Sequence, residues 1–191
     1  MPQEDRLYKL RPEELGRLSV ADYQRAPKFP IRLLLDNLRS RYNVGSLLRT
    51  ADAFRVERVY LGGTTPTPPH PEIHRSALGA EESVSWEPCY DPLVLVERMR
   101  GEGWTVVALE HTNLSVKLWE SSWGSPPWLV IVGNELTGVQ DDLLRRSHLI
   151  VEIPQFGTKH SLNVAVAGGI CLYEMVRRLK GAEFFHSEAG P

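Results

Sequence analysis

Residues 152–170 read EIPQFGTKHSLNVAVAGGI, and the fold turns on how they are divided. An apolar strand closes at Ile153-Pro154, because proline cannot continue a central ladder. A polar loop follows, and a helix of very small residues begins at Ser161. Gly157 supplies the turn and Ser161 a helix cap, which is all that an ordinary connection requires. Lys159, His160 and Asn163 exceed that need and mark the loop as a candidate site. Ala165, Ala167, Gly168 and Gly169 let another backbone pack very closely on the helix.

The same strand–loop–helix unit recurs upstream. IRLLLDN (31–37) is a short, continuously apolar run, suited to a strand buried on both faces. In NVGSLLRTADAF (43–54), Val44, Leu47, Leu48, Ala51 and Phe54 fall on one helical face. Further strands are predicted at VERVYLGG (56–63), WTVVALE (104–110), PPWLVIVGNE (126–135) and LIVEIP (149–154). Helices are predicted around His74–Leu78, at PLVLVERMRGEG (92–103), at VQDDLLRRS (139–147) and from Ser161 to a glycine cap at Gly181. LSVKLWESS (114–122) reads as a short polar helix or loop. The alternation predicts an α/β fold, a mostly parallel sheet with helices on both faces. Residues 1–30, with Pro12 at a helix N1 position and Arg25, Lys28 and Arg32 near their end, read as a short helical arm. The main domain is expected over 31–181 and a flexible tail over 182–191.

The chain has 191 residues, 42% hydrophobic and 24% charged, with a formal net charge of −2. That is the balance of one soluble domain. It argues against a surface basic all over and leaves room for a local basic patch. No apolar run approaches the roughly 18 residues of a membrane span. MPQEDRLYKL lacks a signal-peptide core, so a cytoplasmic protein without membrane contact is expected. Cys89 and Cys171 are far apart, without disulfide or metal spacing, and read as small apolar residues. No metal is expected.

Three predicted strand ends are unusually polar, and in open α/β sheets ligands bind at such ends. In DNLRSRYNVGSLLRT (36–50), Asn43 is a candidate N-cap and Gly45 permits close approach. Arg49 either pairs with a carboxylate or holds a phosphate or developing oxyanion. Arg39 and Arg41 extend a phosphate-contacting strip. In VGNELTG (132–138), Glu135 either complements a helix N-terminus or belongs to a site. In the opening stretch, Ser161 and Asn163 either cap the helix or reach a ligand.

Together the three motifs resemble the SpoU (TrmH-type) family of RNA ribose 2′-O-methyltransferases, of the SPOUT class. Asn43, Gly45, Arg49, Ala51 and Phe54 match its first motif. Gly133, Glu135 and Gly138 match the second, and IPQFGTKHSLNVAVAGGICLYE (153–174) the third. The resemblance covers about residues 31–180. It departs at Arg55, where glycine is usual, and at Ala165, where serine is common. The arm and LDNLRS (35–40) are typical of one subset of the family. The resemblance implies a deep C-terminal trefoil knot holding bent S-adenosyl-L-methionine, and a homodimer in which each site draws on both subunits. Main-chain groups at Leu109, Gly133, Ile153 and Leu162 are expected to hold the cofactor. Asn43, Arg49, Glu135, Ser161 and Asn163 are expected to be catalytic, and Arg39, Arg41 and Lys159 to contact RNA, either tRNA or rRNA. A dinucleotide-binding enzyme is disfavoured by a first turn without GxGxxG, and a serine hydrolase by the lack of a GxSxG elbow. The alternative is a non-catalytic RNA-binding protein on the same knotted fold, against which stand the intact Arg49, Glu135, Ser161 and Asn163.

Overall fold

Strands whose residues are apolar on both sides need cover on both faces, and the chain supplies it with helices. The computed structural model describes residues 7–120 and 122–180. In chain order these contain a 3-10 turn Pro12–Leu15, α1 Val20–Arg25, β1 Phe29–Asp36, α2 Arg41–Ala53, β2 Val56–Gly62, α3 Pro71–Ala77, α4 Ala80–Ser83 and β3 Trp86–Cys89. There follow α5 Pro92–Gly101, β4 Thr105–Leu109, β5 Val116–Lys117, β6 Trp128–Val132, α6 Asp141–Arg146, β7 Leu149–Glu152 and α7 Val164–Lys180. The seven strands form one sheet in the order β3-β2-β1-β6-β4-β7-β5, and every neighbouring pair is parallel.

Alternation along the central strands divides the core in two. Leu33 and Leu35 of β1, Val130 and Val132 of β6 and Val107 of β4 face α2 and α7. Leu34, Leu129, Ile131, Val106 and Ala108 face α5 and α6. From β1 the chain winds outward one way through β2 and β3. After β4 it fills the other half, and β6 inserts beside β1. The order reverses at β1 and β6, so the carboxyl ends there open a crevice.

Several local expectations shift. Ser40, not Asn43, caps α2, its hydroxyl accepting from Asn43 N at 3.3 Å. The helix therefore starts earlier and the Asn43 side chain is released for other partners. Ser161 does not cap α7, which begins at Val164. Asn163 Oδ1 accepts from Ala165 N at 2.9 Å and Val166 N at 3.4 Å instead. The edge strands β3 and β5 are not predicted from sequence. WEPC carries a proline, which only an edge tolerates, and the two residues of β5 are exposed. The small residues of α7 meet side chains rather than a threaded backbone: a Cβ on Gly168 would lie 2.6 Å from Leu47 Cδ2. Arg55, where the family uses glycine, takes the left-handed conformation with φ 46°, the backbone state that explains the usual glycine.

The arm is docked. Tyr23 is buried and its hydroxyl reaches Ala51 O at 3.5 Å, while Gln24 Nε2 donates to Glu82 O at 3.1 Å. Phe29 and Pro30 already belong to β1. Cys171 is buried and Cys89 half-buried, both free thiols. The expected tail at 182–191 and the Gly181 cap lie outside the described residues.

Gly45 fixes how closely α2 meets α3. A Cβ there would stand 2.1 Å from Ser76 Oγ and 2.4 Å from Ile73 O, and the second is immovable backbone. Gly45→Ala is expected to destabilise the fold by about 1–3 kcal/mol. Gly101, with open space around its Cβ position, should accept alanine within about 1 kcal/mol. Urea denaturation of the two variants checks this, and equal midpoints would refute the steric argument.

Candidate active site

A tight turn after β6 aims the first functional side chain. Asn134 and Gly138 exchange backbone hydrogen bonds of 3.0 and 2.9 Å, with Gly138 at φ 71°. Asn134 Oδ1 accepts from Leu136 N at 2.8 Å, and its Nδ2 donates to Asn37 O at 2.5 Å. The turn presents Glu135 to the start of α2. There its carboxylate accepts from Arg39 N at 2.9 Å, Ser40 N at 3.0 Å and Asn43 Nδ2 at 2.8 Å. Asn43 Oδ1 in turn accepts from Asn163 Nδ2 at 3.1 Å, and Asn163 caps α7. One chain of hydrogen bonds thus joins the loops after β1, β6 and β7. Burial pushes the Glu135 carboxyl up. The N–H donors of Arg39 and Asn43, followed by its own backbone N–H and that of Ser40, outweigh it and hold the group below the usual carboxylate range.

Beside this network lies a cavity of ≈ 700 Å³ at the carboxyl ends of β4, β6 and β7. Leu109, Gly133, Ile153 and Leu162, the four expected cofactor residues, all line it, as do Glu135, Ser161 and Asn163. Gly133 is required sterically: a Cβ would stand 2.2 Å from both Gly138 C and Val139 N. Glu110, Glu135, Asp141 and Glu152 line the cavity, and among the described residues no lysine or arginine does. Such a lining favours a cationic ligand and disfavours one bearing phosphates.

Two carboxylates that sequence reasoning missed organise the same edge. Glu110 accepts from Val139 N and His111 N, both at 2.8 Å. Asp36 is fully buried at the end of β1 and accepts from Gln140 N at 2.9 Å, Gln140 Nε2 at 2.6 Å and Asn37 Nδ2 at 2.8 Å. The signal was available: Asp36, Glu110, Glu135 and Glu152 each end, or closely follow, a buried strand.

The structure does not bring Arg49 to this cavity. It is exposed on α2 and lines a second cleft, under the arm. Arg39 contributes its backbone N–H to Glu135, while its side chain is exposed. Arg41 is exposed and lies 3.8 Å from Glu72, and Lys159 is exposed on the loop before α7. Among the described residues no group of three His, Cys, Asp or Glu side chains is arranged to hold a metal.

Comparison with known proteins follows the same geometry. The family model described as the SpoU rRNA Methylase family matches residues 30–173. A tRNA (guanosine(18)-2'-O)-methyltransferase of Aquifex aeolicus is 30% identical over 75% of this chain and 67% of its own length. A 23S rRNA (guanosine(2553)-2'-O)-methyltransferase of Bacillus subtilis is 32% identical over 75% of this chain and 56% of its own. Among solved structures, the AdoMet-bound rRNA methyltransferase of Sinorhizobium meliloti has a TM-score of 0.74 at 30% identity, covering 82% of this chain and 60% of that one. The chain spans 60% of the length of a Synechocystis relative and 59% of a Pseudomonas syringae one.

Glu135→Gln removes a charge that faces three N–H donors and places an amide donor among them. It is expected to cost about 1–2 kcal/mol in urea denaturation near neutral pH. A carboxyl held low in the folded state stabilises fully above its ordinary range and loses that contribution as pH falls through the folded value. Wild-type stability should therefore drop more steeply than that of the variant between about pH 7 and about pH 3. Parallel pH profiles would contradict the assigned role.

Proposed function

The chain belongs to the SpoU rRNA methylase family, and from that premise we propose that it transfers a methyl group from S-adenosyl-L-methionine to a ribose 2′-hydroxyl of tRNA or rRNA. The observation that carries the reading is the cavity beside the Glu135–Asn43–Asn163 network. Its carboxylates suit a sulfonium cation, and the crowded glycine backbone at Gly133 offers main-chain groups to an adenine edge without a side chain in the way. Bound there, the cofactor supplies an electrophilic methyl group. Leu109, Gly133, Ile153 and Leu162, which line the cavity, would hold it through their backbone.

The protein's own residues do the positioning. Glu135 and Asn43 lock the start of α2 against the turn after β6, and Asn163 locks the start of α7 to both. Ser161, exposed at the cavity rim, orients the ribose hydroxyl. Arg49 binds the neighbouring phosphate and stabilises the emerging alkoxide. A guanidinium stays protonated, so it acts through charge and geometry rather than as a base. Arg39, Arg41 and Lys159 add phosphate contacts along the rim. Guanosine 2′-O-methylation, for which both the Aquifex and Bacillus relatives are named, falls within this reaction class.

Arg49 reaches the chemistry from a second copy of the chain. Leu162, Val166, Ile170 and Tyr173 form an exposed apolar stripe on α7 and its approach, and Tyr42 of α2 is exposed as well. A homodimer that buries this stripe shields it from water and sets the α2 of one subunit against the cavity of the other. The same reading includes a deep trefoil knot through the loops around the cavity, which rests on the family resemblance. It also includes a cytoplasmic location and the division into arm, catalytic domain and tail (182–191), with the arm ending before Phe29, where β1 begins. No helix among the described residues is long and apolar enough to cross a membrane.

Tritium transfer from labelled S-adenosyl-L-methionine to total tRNA and total rRNA, assayed separately, tests the reaction. Label is expected in one pool and should be lost in Arg49→Ala while cofactor binding persists. Arg49→Lys should retain part of the activity, since a point charge replaces a bidentate fork. Cofactor binding without label in either pool would leave only an RNA-binding role. Ile170→Asp, which puts a charge into the apolar stripe, is expected to yield an inactive, cofactor-binding monomer by sedimentation. An active monomer would overturn the shared site.

A further inference from the structure

β6 ends at Val132, between β1 and β4, and there pairs with Leu35 on one side and Leu109 on the other. The next residue on each neighbour is acidic: Asp36 closes β1, and Glu110 follows β4. The two carboxylates therefore flank Gly133, where the chain leaves the sheet. They take consecutive amides of the loop that returns over it. Glu110 Oε2 accepts from Val139 N at 2.8 Å, and Asp36 Oδ2 accepts from Gln140 N at 2.9 Å. Asp36 Oδ1 also accepts from Gln140 Nε2 at 2.6 Å and from Asn37 Nδ2 at 2.8 Å.

Asp36 is wholly buried, and a buried carboxylate loses its hydration unless well-placed donors replace the water. Among the described residues its partners are amide donors and none is a cation. Two of the three donors belong to Gln140. Gln140 precedes α6 without capping it through its side chain; the side chain turns back to Asp36 instead. The bonds fix the direction of the loop as well as its distance, because amide donors to a carboxylate are directional.

What the pair holds is a wall of the cofactor cavity. Gly133 and Gly138 line it, so tightly packed that a Cβ on Gly133 would stand 2.2 Å from Gly138 C and Val139 N. Backbone stays this close only while residues 138–140 are pressed onto Gly133. Glu110 lines the cavity and would meet a ligand directly. Asp36 and Gln140 are not among the described lining residues, so Asp36 acts on the cavity only through the loop. We propose that Asp36 is a positioning residue for cofactor binding: with Glu110 it clamps residues 138–140 onto Gly133 and keeps the cavity in its cofactor-accepting shape. The identity of the cofactor rests on the methyltransferase reading, whereas the clamp rests on the hydrogen bonds alone.

The test compares wild type with Asp36→Asn, Gln140→Ala and the swapped pair Asp36→Asn/Gln140→Glu. Ser83→Ala serves as a control that removes a buried hydroxyl bonded to Asp52, outside the cavity lining. Calorimetry measures S-adenosyl-L-methionine binding, NMR measures amide exchange, and methyl transfer is followed below and at cofactor saturation. Asp36→Asn turns an amide donor toward the donors of Gln140. It is expected to weaken cofactor binding on the order of tenfold and to speed amide exchange over residues 133–140 alone. KM for the cofactor should rise while kcat at saturation stays within about twofold of wild type. Gln140→Ala changes an exposed residue and should move the same readouts the same way, by less. The swapped pair again sets a donor against a carboxylate and should recover part of the affinity. Ser83→Ala should lower the thermal midpoint and leave cofactor affinity at its wild-type value. Unchanged cofactor affinity in both Asp36→Asn and Gln140→Ala overturns the proposal, as does faster exchange spread over the whole sheet. Wild type that binds no S-adenosyl-L-methionine sinks the methyltransferase reading instead. Faster exchange confined to 133–140 in the variants then upholds the clamp, and unchanged exchange overturns it.

Discussion

The Glu135 carboxylate is the constraint on which the site depends. Three loops leave the carboxyl edge of the sheet, after β1, β6 and β7, and their polar groups need partners to fix them against one another. A single carboxylate accepts two backbone N–H groups and the Asn43 amide, and Asn43 passes the constraint to Asn163 and so to α7. Charge-assisted acceptors of this kind are stronger than neutral ones. They are directional as well, so the loops are held in relative orientation as well as in proximity. Catalytic positioning needs orientation, since methyl transfer requires donor and acceptor in line.

A near-neutral chain conceals local charge. The cavity at the strand ends gathers Glu110, Glu135, Asp141 and Glu152, with no lysine or arginine among its described lining residues. The arm cleft is mixed, with Arg17, Arg49 and Arg55 beside Asp52 and Glu82. The net charge of −2 does not show this local acidic lining.

Much of this was legible beforehand. Apolar runs at residues 31–35, 105–109 and 128–132 fall in β1, β4 and β6, because strands covered on both faces admit little else. The edge strands escaped notice for the complementary reason: an edge is half solvated, so WEPC and VK need no such run. Helix starts also drifted by three residues. Ser40 and Asn43 are both good caps, as are Ser161 and Asn163, and local chemistry does not choose between them. Glu135 chooses at α2 by claiming the Asn43 amide, and Asn43 accepts the amide of Asn163 while Asn163 caps α7.

The sequence by itself determined the α/β class, the two-faced core and the identity of the polar residues gathered at the strand ends. Those follow from hydrophobic periodicity and side-chain chemistry, which are local. Only the tertiary structure decided that Glu135, Asn43 and Asn163 form one network while Arg49, six residues from Asn43, opens on a different cleft. On a helix, six residues turn the side chain through about 600°, a net angle of about 240°, so closeness in sequence is distance in direction. The docked arm, the acidic lining of the cavity and the partner for Asp36 at Gln140, 104 positions away, arise from pairings that no local pattern encodes.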